Sequence, residues 1–306
     1  MSQPPTGVLN IDKPQEYTSH DVVARVRKLT GIRRVGHAGT LDPLATGVLL
    51  VCVGPATRIT DYLQQGRKIY RTTFRLGAST DTYDADGQVL HSAPVPELDL
   101  VALDRALDVF RGDIKQTPPM YSAIKHKGRA LHKLARAGIE VERKARAVTI
   151  FNLSIEEWRS PDLTVQITCT PGTYVRSIGH DLGEALGCGA HVRSLRRLAS
   201  GTWRAEDAID LEDLIALKDA WPTHLHGLRS ALSMLTPLVL TADQAYRFAV
   251  GQSISVETTY ATPEVQVLGP NEKLLGIGRL DTDRSLVSPY KVFADPADLR
   301  PLTSDL

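Results

Sequence analysis

Hydrophobic positions change period several times along the chain, and each change marks an element. Val8 to Asp12 reads as a short strand closed by Lys13-Pro14. Val22, Val23, Val26 and Leu29 then recur at helical spacing, with Thr18 and Asp21 placed as a capping pair and Gly31 as the stop. Val48 to Val53 is an unbroken apolar run closed by Gly54-Pro55, the pattern of a strand buried on both faces. Lys68 to Leu76 alternates instead, with Tyr70, Thr72, Phe74 and Leu76 on one face and Arg71, Thr73 and Arg75 on the other. A helix is predicted from Asp99 to Phe110, with Leu100, Leu103, Leu107 and Phe110 turned inward. Alternating strands return at Val148 to Ile155 and Leu163 to Cys169. Tyr174 to Leu186 then reads as a helix resting on Ile178, Leu182 and Leu186.

Between these elements lies Tyr121 to Ala147, a segment with few apolar anchors. Lys125, Lys127, Arg129, Lys133, Arg136, Arg143, Lys144 and Arg146 face only Glu140 and Glu142 there. Arg193 to Arg197 is a second, shorter basic stretch. The pattern weakens around Trp221 to Pro237. It then resumes as a short helix, Ala242 to Val250, and strand-like runs broken at Gly269-Pro270-Asn271 and at Gly276, which suggests a small β-rich module. At 306 residues the chain fits two domains, taking about 150 residues for each.

Composition narrows the class of molecule. With 42% hydrophobic and 23% charged residues the chain is too apolar to be disordered, and no stretch approaches the roughly 20 apolar residues of a membrane helix. Met1 to Pro5 lacks the basic and apolar parts of a signal peptide, so a cytoplasmic location is expected. Cys52, Cys169 and Cys188 form no CxxC pair, which argues against a disulfide framework or a cysteine-rich zinc site and for reduced, buried thiols. The net charge of +1 divides unevenly: Thr241 to Leu306 holds six Lys/Arg and nine Asp/Glu, a balance of −3, which leaves +4 for the rest. Clustered positive charge of this kind can bind a polyanion despite a near-neutral total.

The segment Gly36-His37-Ala38-Gly39-Thr40-Leu41-Asp42-Pro43-Leu44-Ala45-Thr46-Gly47 is the most unusual. Its glycines permit tight turns, and Pro43 pushes Asp42 towards extended geometry. A carboxylate on so stiff a loop, just before a buried strand, suits nucleophilic or electrostatic work, although an isolated Asp-Pro pair reads as an ordinary turn. The glycine spacing lacks the Gly-Lys-Ser/Thr of a phosphate loop. His37 has no serine nucleophile or helical histidine partner near it and, alone, reads as a structural hydrogen-bonder. Thr82 to Gly87 has the start of a calcium loop, but Ala93 stands where the bidentate glutamate belongs, so calcium is rejected and an acidic turn or a site role for Asp84 remains. Tyr174 and Arg176 follow Pro171-Gly172 at a strand-to-helix junction, where both can reach one cavity.

Taken in order, these segments resemble the bacterial tRNA pseudouridine-55 synthase family, the TruB type. The anchors are Gly36 to Gly47, Lys68-Ile69-Tyr70-Arg71, Asp81 to Gly87, Pro118-Pro119-Met120-Tyr121-Ser122-Ala123, Gly172-Thr173-Tyr174-Val175-Arg176 and Leu195-Arg196-Arg197-Leu198. In the tail, Leu275-Gly276-Ile277-Gly278 and Pro289-Tyr290-Lys291-Val292-Phe293 resemble the family's PUA-like RNA-binding module. Two positions depart from the pattern. Glu16 stands where the family usually has Gly, two residues after Lys13-Pro14, and Ala38 replaces a common Thr.

The resemblance implies a mixed α/β (α+β) pseudouridine-synthase fold: a large, mainly antiparallel sheet flanked by helices, with the active site in a cleft across it. It places a catalytic domain at 1–236, with the basic segment 121–147 as an RNA-gripping insertion, and a β-rich PUA-like module at 237–306. It further implies an isomerase that turns one uridine of the tRNA T arm, position 55, into pseudouridine. The steps are glycosidic C–N cleavage, base rotation and C–C bond formation on a flipped-out nucleotide. No cofactor, metal, membrane or obligatory protein partner is called for. By this analogy Asp42 is the essential carboxylate, as nucleophile or as proton acceptor, and Arg176 pairs with it. Tyr70 stacks on the uracil and acts in removing the C5 proton. Tyr174 and Leu195 line the pocket, Asp84 joins the polar network, and His37 fills the space the base leaves. Lys125, Lys127, Arg129, Arg196 and Arg197 grip the RNA backbone. Two other classes use the same features: a non-catalytic RNA-binding or remodelling protein, which does not need Asp42, and a glycoside hydrolase built on Asp42 and Asp84.

Overall fold

The computed structural model describes residues 4–299 except 123, 127, 136 and 258–261, and gives only the backbone at 125, 126, 130 and 132. Its centre is a ten-stranded sheet. Across it run Ile209–Asp210, Gly7–Lys13, Thr46–Val53, Ala190–Ser200, Lys68–Leu76, Asp162–Cys169, Arg146–Arg159 and Gly112–Gln116. Val35–His37 and Trp203–Arg204 pair off this path. Two contacts are parallel, between Gly7–Lys13 and Ile209–Asp210 and between Thr46–Val53 and Ala190–Ser200; the others are antiparallel.

The unbroken run in Thr46–Val53 is explained by cover on both sides. Leu49, Val51 and Val53 join one hydrophobic cluster, with Val22, Val23 and Val26 of the Ser19–Thr30 helix. Val48, Leu50 and Cys52 join another, with Ile59, Tyr62 and Leu63. The first helix keeps its predicted limits: Thr18 and Asp21 form a full capping box, and Gly31 closes it at φ 68°. Gly47, at φ 97°, has the carbonyl of Arg197 where a Cβ would lie, only 2.2 Å away, so only glycine allows these two strands to meet.

Several expectations are corrected. Leu100 is 55% exposed, and the Leu100–Leu107 helix packs through Leu103 and Leu107, with the partly buried Ala106 beside them. The basic stretch Arg193 to Arg197, to which the sequence pattern assigned no element, lies within the Ala190–Ser200 strand beside Lys68–Leu76. Register shifts after Val192 and after Arg197 interrupt its alternation, which hides the strand from a period-two reading. Gly276 does not break a strand. It sits inside Leu274–Asp281, where a Cβ would meet Lys291 O at 2.4 Å.

A second, β-rich unit follows. Thr236–Val239, Glu264–Leu268, Leu274–Asp281, Leu286–Val292 and Ile254–Ser255 form a five-stranded sheet covered by the Ala242–Ala249 helix through Phe248. It rests on the first unit through Ile277, which enters the Val48–Leu50–Cys52 cluster. Arg58 Nη1 donates to Val292 O at 2.7 Å, and Lys291 Nζ donates to Arg58 O at 2.7 Å. The three cysteines are free and buried.

Candidate active site

Asp42 stands where three elements meet. Its loop is tied to the Ser19–Thr30 helix by Ser19 Oγ, which accepts from Leu41 N at 2.9 Å and donates to Leu41 O at 3.1 Å. It is also tied to the first loop by Glu16 N, which donates to Pro43 O at 3.0 Å. Glu16 holds that bond in the left-handed region, at φ 70°, so the loop keeps a glycine-like conformation without glycine. Ala38 is fully buried, its N–H donating to Leu50 O at 2.8 Å. Behind the loop Lys13 is fully buried, its Nζ donating to the carbonyls of Pro14, Tyr17 and Pro43 at 2.8, 2.6 and 3.2 Å. Burial pulls its pKa down to about 8, and the nearby Asp42 opposes that shift.

Arg176, in the first turn of the Val175–Ala185 helix, aims at the carboxylate from the other side. Nε donates to Asp42 Oδ2 at 2.8 Å and Nη2 to Asp42 Oδ1 at 3.0 Å, the two-pronged pairing that fixes a carboxylate in position and in plane. The guanidinium is itself locked: Nη1 donates to Thr82 O and Nη2 to Tyr121 O, both at 2.8 Å, and Asp84 Oδ2 lies 3.5 Å from Nη1. Its side chain is 5% exposed while that of Asp42 is 32% exposed, so the anion faces outward from a buried anchor. The helix start is held by Gln116, whose side chain accepts from Tyr174 N at 2.9 Å and donates to Tyr174 O at 3.0 Å.

Asp42 opens onto two hollows. One, about 270 Å³, is floored by Lys68, Tyr70, Leu195 and Arg197 from two adjacent strands and walled by Thr40, Leu41, Tyr174 and Val175. The other, about 580 Å³, is lined by His20, Asp81, Asp84, Gln88 and Tyr121. Tyr70 is 9% exposed. Burial raises its pKa, against a hydrogen bond from Arg197 that lowers it, so the phenol stays protonated at neutral pH. Burial likewise raises the Tyr174 phenol. Asp84 is 5% exposed, accepts from Thr82 Oγ1 at 2.5 Å and from Asp86 N at 3.2 Å, and is pushed upward mainly by burial.

The structure therefore brings Asp42, Arg176, Tyr70, Tyr174 and Leu195 to one cavity and Asp84 to the far side of Arg176. His37 lines neither hollow. It lies edge-on to His20, 5.3 Å between ring centres, its Nδ1 buried without a hydrogen-bond partner among the described residues. Burial draws its pKa down to about 4, so the ring is neutral at pH 7. Arg197 is a correction. At 2% exposed it cannot grip a phosphate backbone; it donates to Val48 O at 2.7 Å, Thr40 O at 3.3 Å and Gly39 O at 3.2 Å and braces the Asp42 loop from below. Arg196 is partly exposed but paired with Asp12. Arg129 is exposed; Lys127 and the side chain of Lys125 lie outside the described residues. Sequence reasoning missed Lys13, Gln116 and Lys68. For Lys68 the signal was present: strict alternation puts it on the same inward face as Tyr70, Thr72, Phe74 and Leu76.

Three family models match the chain: "TruB family pseudouridylate synthase (N terminal domain)" over residues 27–175, "tRNA pseudouridylate synthase B C-terminal domain" over 176–245, and "Pseudouridine synthase II TruB, C-terminal" over 236–293. The tRNA pseudouridine synthase B of Serratia proteamaculans (strain 568) is 41% identical over 307 residues, covering 95% of this chain and 96% of that protein. That of Coxiella burnetii (strain RSA 331 / Henzerling II) is 40% identical, covering 92% and 93%. Among solved structures, a chain of a Cbf5-Nop10-Gar1 complex superposes with a TM-score of 0.74 at 24% identity, covering 97% of this chain and 88% of that one. A chain of an H/ACA RNP bound to a substrate RNA containing 2'-deoxyuridine superposes with a TM-score of 0.72 at 22% identity, covering 98% and 93%. These two likenesses show the same fold.

Proposed function

The chain belongs to the TruB family of pseudouridylate synthases, and from that premise we propose that it isomerises a single uridine, position 55 in the T arm of tRNA, with Asp42 as the essential carboxylate. At the coarser level it is an isomerase that forms pseudouridine in tRNA. The observation that carries the finer reading is the two-pronged Arg176–Asp42 pair, set at the mouth of a cavity floored by Tyr70.

The chemistry follows from that arrangement. The target base is stacked within a folded arm and must swing out, at a cost of a few kcal/mol. Tyr70 and Leu195 offer flat and apolar contact to a uracil ring, worth roughly 1–3 kcal/mol per stacked base, and stacking leaves the ring free to rotate once detached. Asp42, held in plane by Arg176, meets the ribose, where it either attacks C1′ or takes the C2′ proton. Both routes need the ionised carboxylate that the guanidinium favours. The C1′–N1 bond breaks, the ring turns, C5 bonds to C1′, and the protonated Tyr70 phenol gives its proton to N1 and takes the C5 proton in return. His37, beside the cavity-lining His20, takes the space the base vacates. Phosphate contacts fall to the 121–147 segment, with Lys125, Lys127 and Arg129, and to the partly exposed Arg196; the buried Arg197 is not among them.

The test uses the full-length protein and a T-arm stem-loop transcript. Nucleoside analysis should find one pseudouridine, at position 55, in RNA of unchanged mass. Release of free uracil would instead mark a hydrolase, and an unmodified transcript would overturn the T-arm assignment.

A further inference from the structure

Four buried cations surround Asp42, and they differ in how their donors are used. Arg176 is matched by Asp42 and Asp84. Lys13 spends its three donors on three carbonyls. Arg197 spends its donors on three carbonyls and the Tyr70 hydroxyl. Lys68 is the exception. It is 5% exposed and lines the smaller cavity with Asp42 and Tyr70. Its Nζ donates to Ser200 Oγ at 2.9 Å; among the described residues it has no other acceptor and no carboxylate partner.

A buried ammonium with unspent donors is costly to keep. Burial, with Arg197 adding repulsion, pulls the Lys68 pKa down to about 8, and only the Cys169 thiol works in the other direction. A neutral side chain would serve Ser200 equally well, so the charge answers to something that enters the cavity. The space, about 270 Å³, suits a flat ring between the Tyr70 phenol and Leu195.

We propose that Lys68 is a catalytic residue that donates to the uracil ring and neutralises it while the ring is an anion. The inference rests on the reading of this cavity as the site of uridine isomerisation. When the C1′–N1 bond breaks, its electron pair stays with the ring, by either route open to Asp42, so the detached uracil carries the negative charge. When C5 then attacks C1′, the ring's electron pair becomes the new C–C bond, which returns the ring to neutrality as Asp42 is released from C1′ or gives its proton back to C2′. C5 then loses a proton and N1 gains one, with no net change in charge, atoms or electrons. The charge is thus present only between two neutral states, and a fixed ammonium on the floor stabilises it selectively.

The experiment measures single-turnover conversion of the T-arm stem-loop by wild type, K68M and K68R, together with stem-loop affinity and thermal melting. K68M should lose about 100-fold in rate, as for removal of one preorganised donor to a developing anion, with affinity unchanged and a melting temperature no lower than wild type's. The loss should shrink for a stem-loop carrying 5-fluorouridine, whose fluorine itself stabilises the ring anion, when C1′–N1 cleavage is followed. Wild type should lose rate as pH rises through about 8, and K68R, whose charge persists, should lack that limb. Lys13 has an equally lowered pKa, so a limb that persists in K68R belongs elsewhere and overturns the assignment. Equal slowing of uridine and 5-fluorouridine overturns it too, as does wild-type speed in K68M. Should K68M not fold, the pH profiles of wild type and K68R decide. If wild type itself forms no pseudouridine, the reading of the cavity fails; if wild type is active and Lys68 passes none of these tests, this inference alone fails.

Discussion

Replacing Arg176 with lysine isolates geometry from charge. The guanidinium makes four hydrogen bonds, two to Asp42 at 2.8 and 3.0 Å and one each to Thr82 O and Tyr121 O at 2.8 Å. An ammonium has three donors radiating from one atom, so it keeps the cation but loses at least one of these bonds and the planar grip on Asp42. A hydrogen bond to a charged group is worth about 1.5–3 kcal/mol, and each 1.4 kcal/mol is about tenfold in rate. R176K should therefore turn over about 10- to 100-fold more slowly. Affinity should change little, because the side chain is 5% exposed and its donors are already spent on Asp42, Thr82 and Tyr121. Methionine is the wrong probe, since it leaves Asp42 and the buried Asp84 without a cation, a loss of about 3–5 kcal/mol that threatens the fold. Tritium release from C5-labelled uridine under single-turnover conditions reads the rate, filter binding reads affinity, and a melting curve confirms folding. If R176K turns over within a factor of two of wild type, or if weaker binding accounts for the whole loss, Arg176 does not orient the reacting carboxylate.

Two further outcomes test the site's surroundings. His37 has a folded-state pKa of about 4 against an ordinary 6.5, so the unfolded chain binds the extra proton between those values; its contribution is complete above pH 6.5 and is lost as pH falls towards 4. His37→Gln should flatten the acid-induced fall in melting temperature over that window, and an unaltered slope would show that the ring is not buried neutral. Glu16 adopts φ 70° with an exposed side chain, a conformation costing a non-glycine residue roughly 1–2 kcal/mol. Even after the greater chain entropy of glycine, roughly 0.5–1 kcal/mol, Glu16→Gly should raise the melting temperature by about 1–2 °C while Glu16→Ala does not; a lower value for the glycine variant would show the loop to be unstrained.

Much of this architecture was legible in hydrophobic period and capping residues. The Ser19–Thr30 helix announces itself through Thr18, Asp21 and Gly31, and Lys68–Leu76 through strict alternation. Ala190–Ser200 did not, because two register shifts break its period and its arginines mimic a surface run. Arg197 was misjudged because charge predicts exposure unless the fold supplies acceptors. Here Gly39, Thr40 and Val48 supply carbonyls from a loop and strand about 150 residues away in sequence, which no local pattern encodes. Asp42, Arg176, Tyr70 and Tyr174 were legible as a set only through their order in a family pattern. The clamp on Arg176 by the Thr82 and Tyr121 carbonyls carries no residue-type signal at all.

The most direct trial of the account is Asp42→Asn in single turnover on the T-arm stem-loop. The amide keeps the shape of the side chain beside Arg176, so the variant should fold, bind the stem-loop as wild type does, and form no detectable pseudouridine. Conversion at a rate close to wild type would mean that the carboxylate held by Arg176 is not the reacting group.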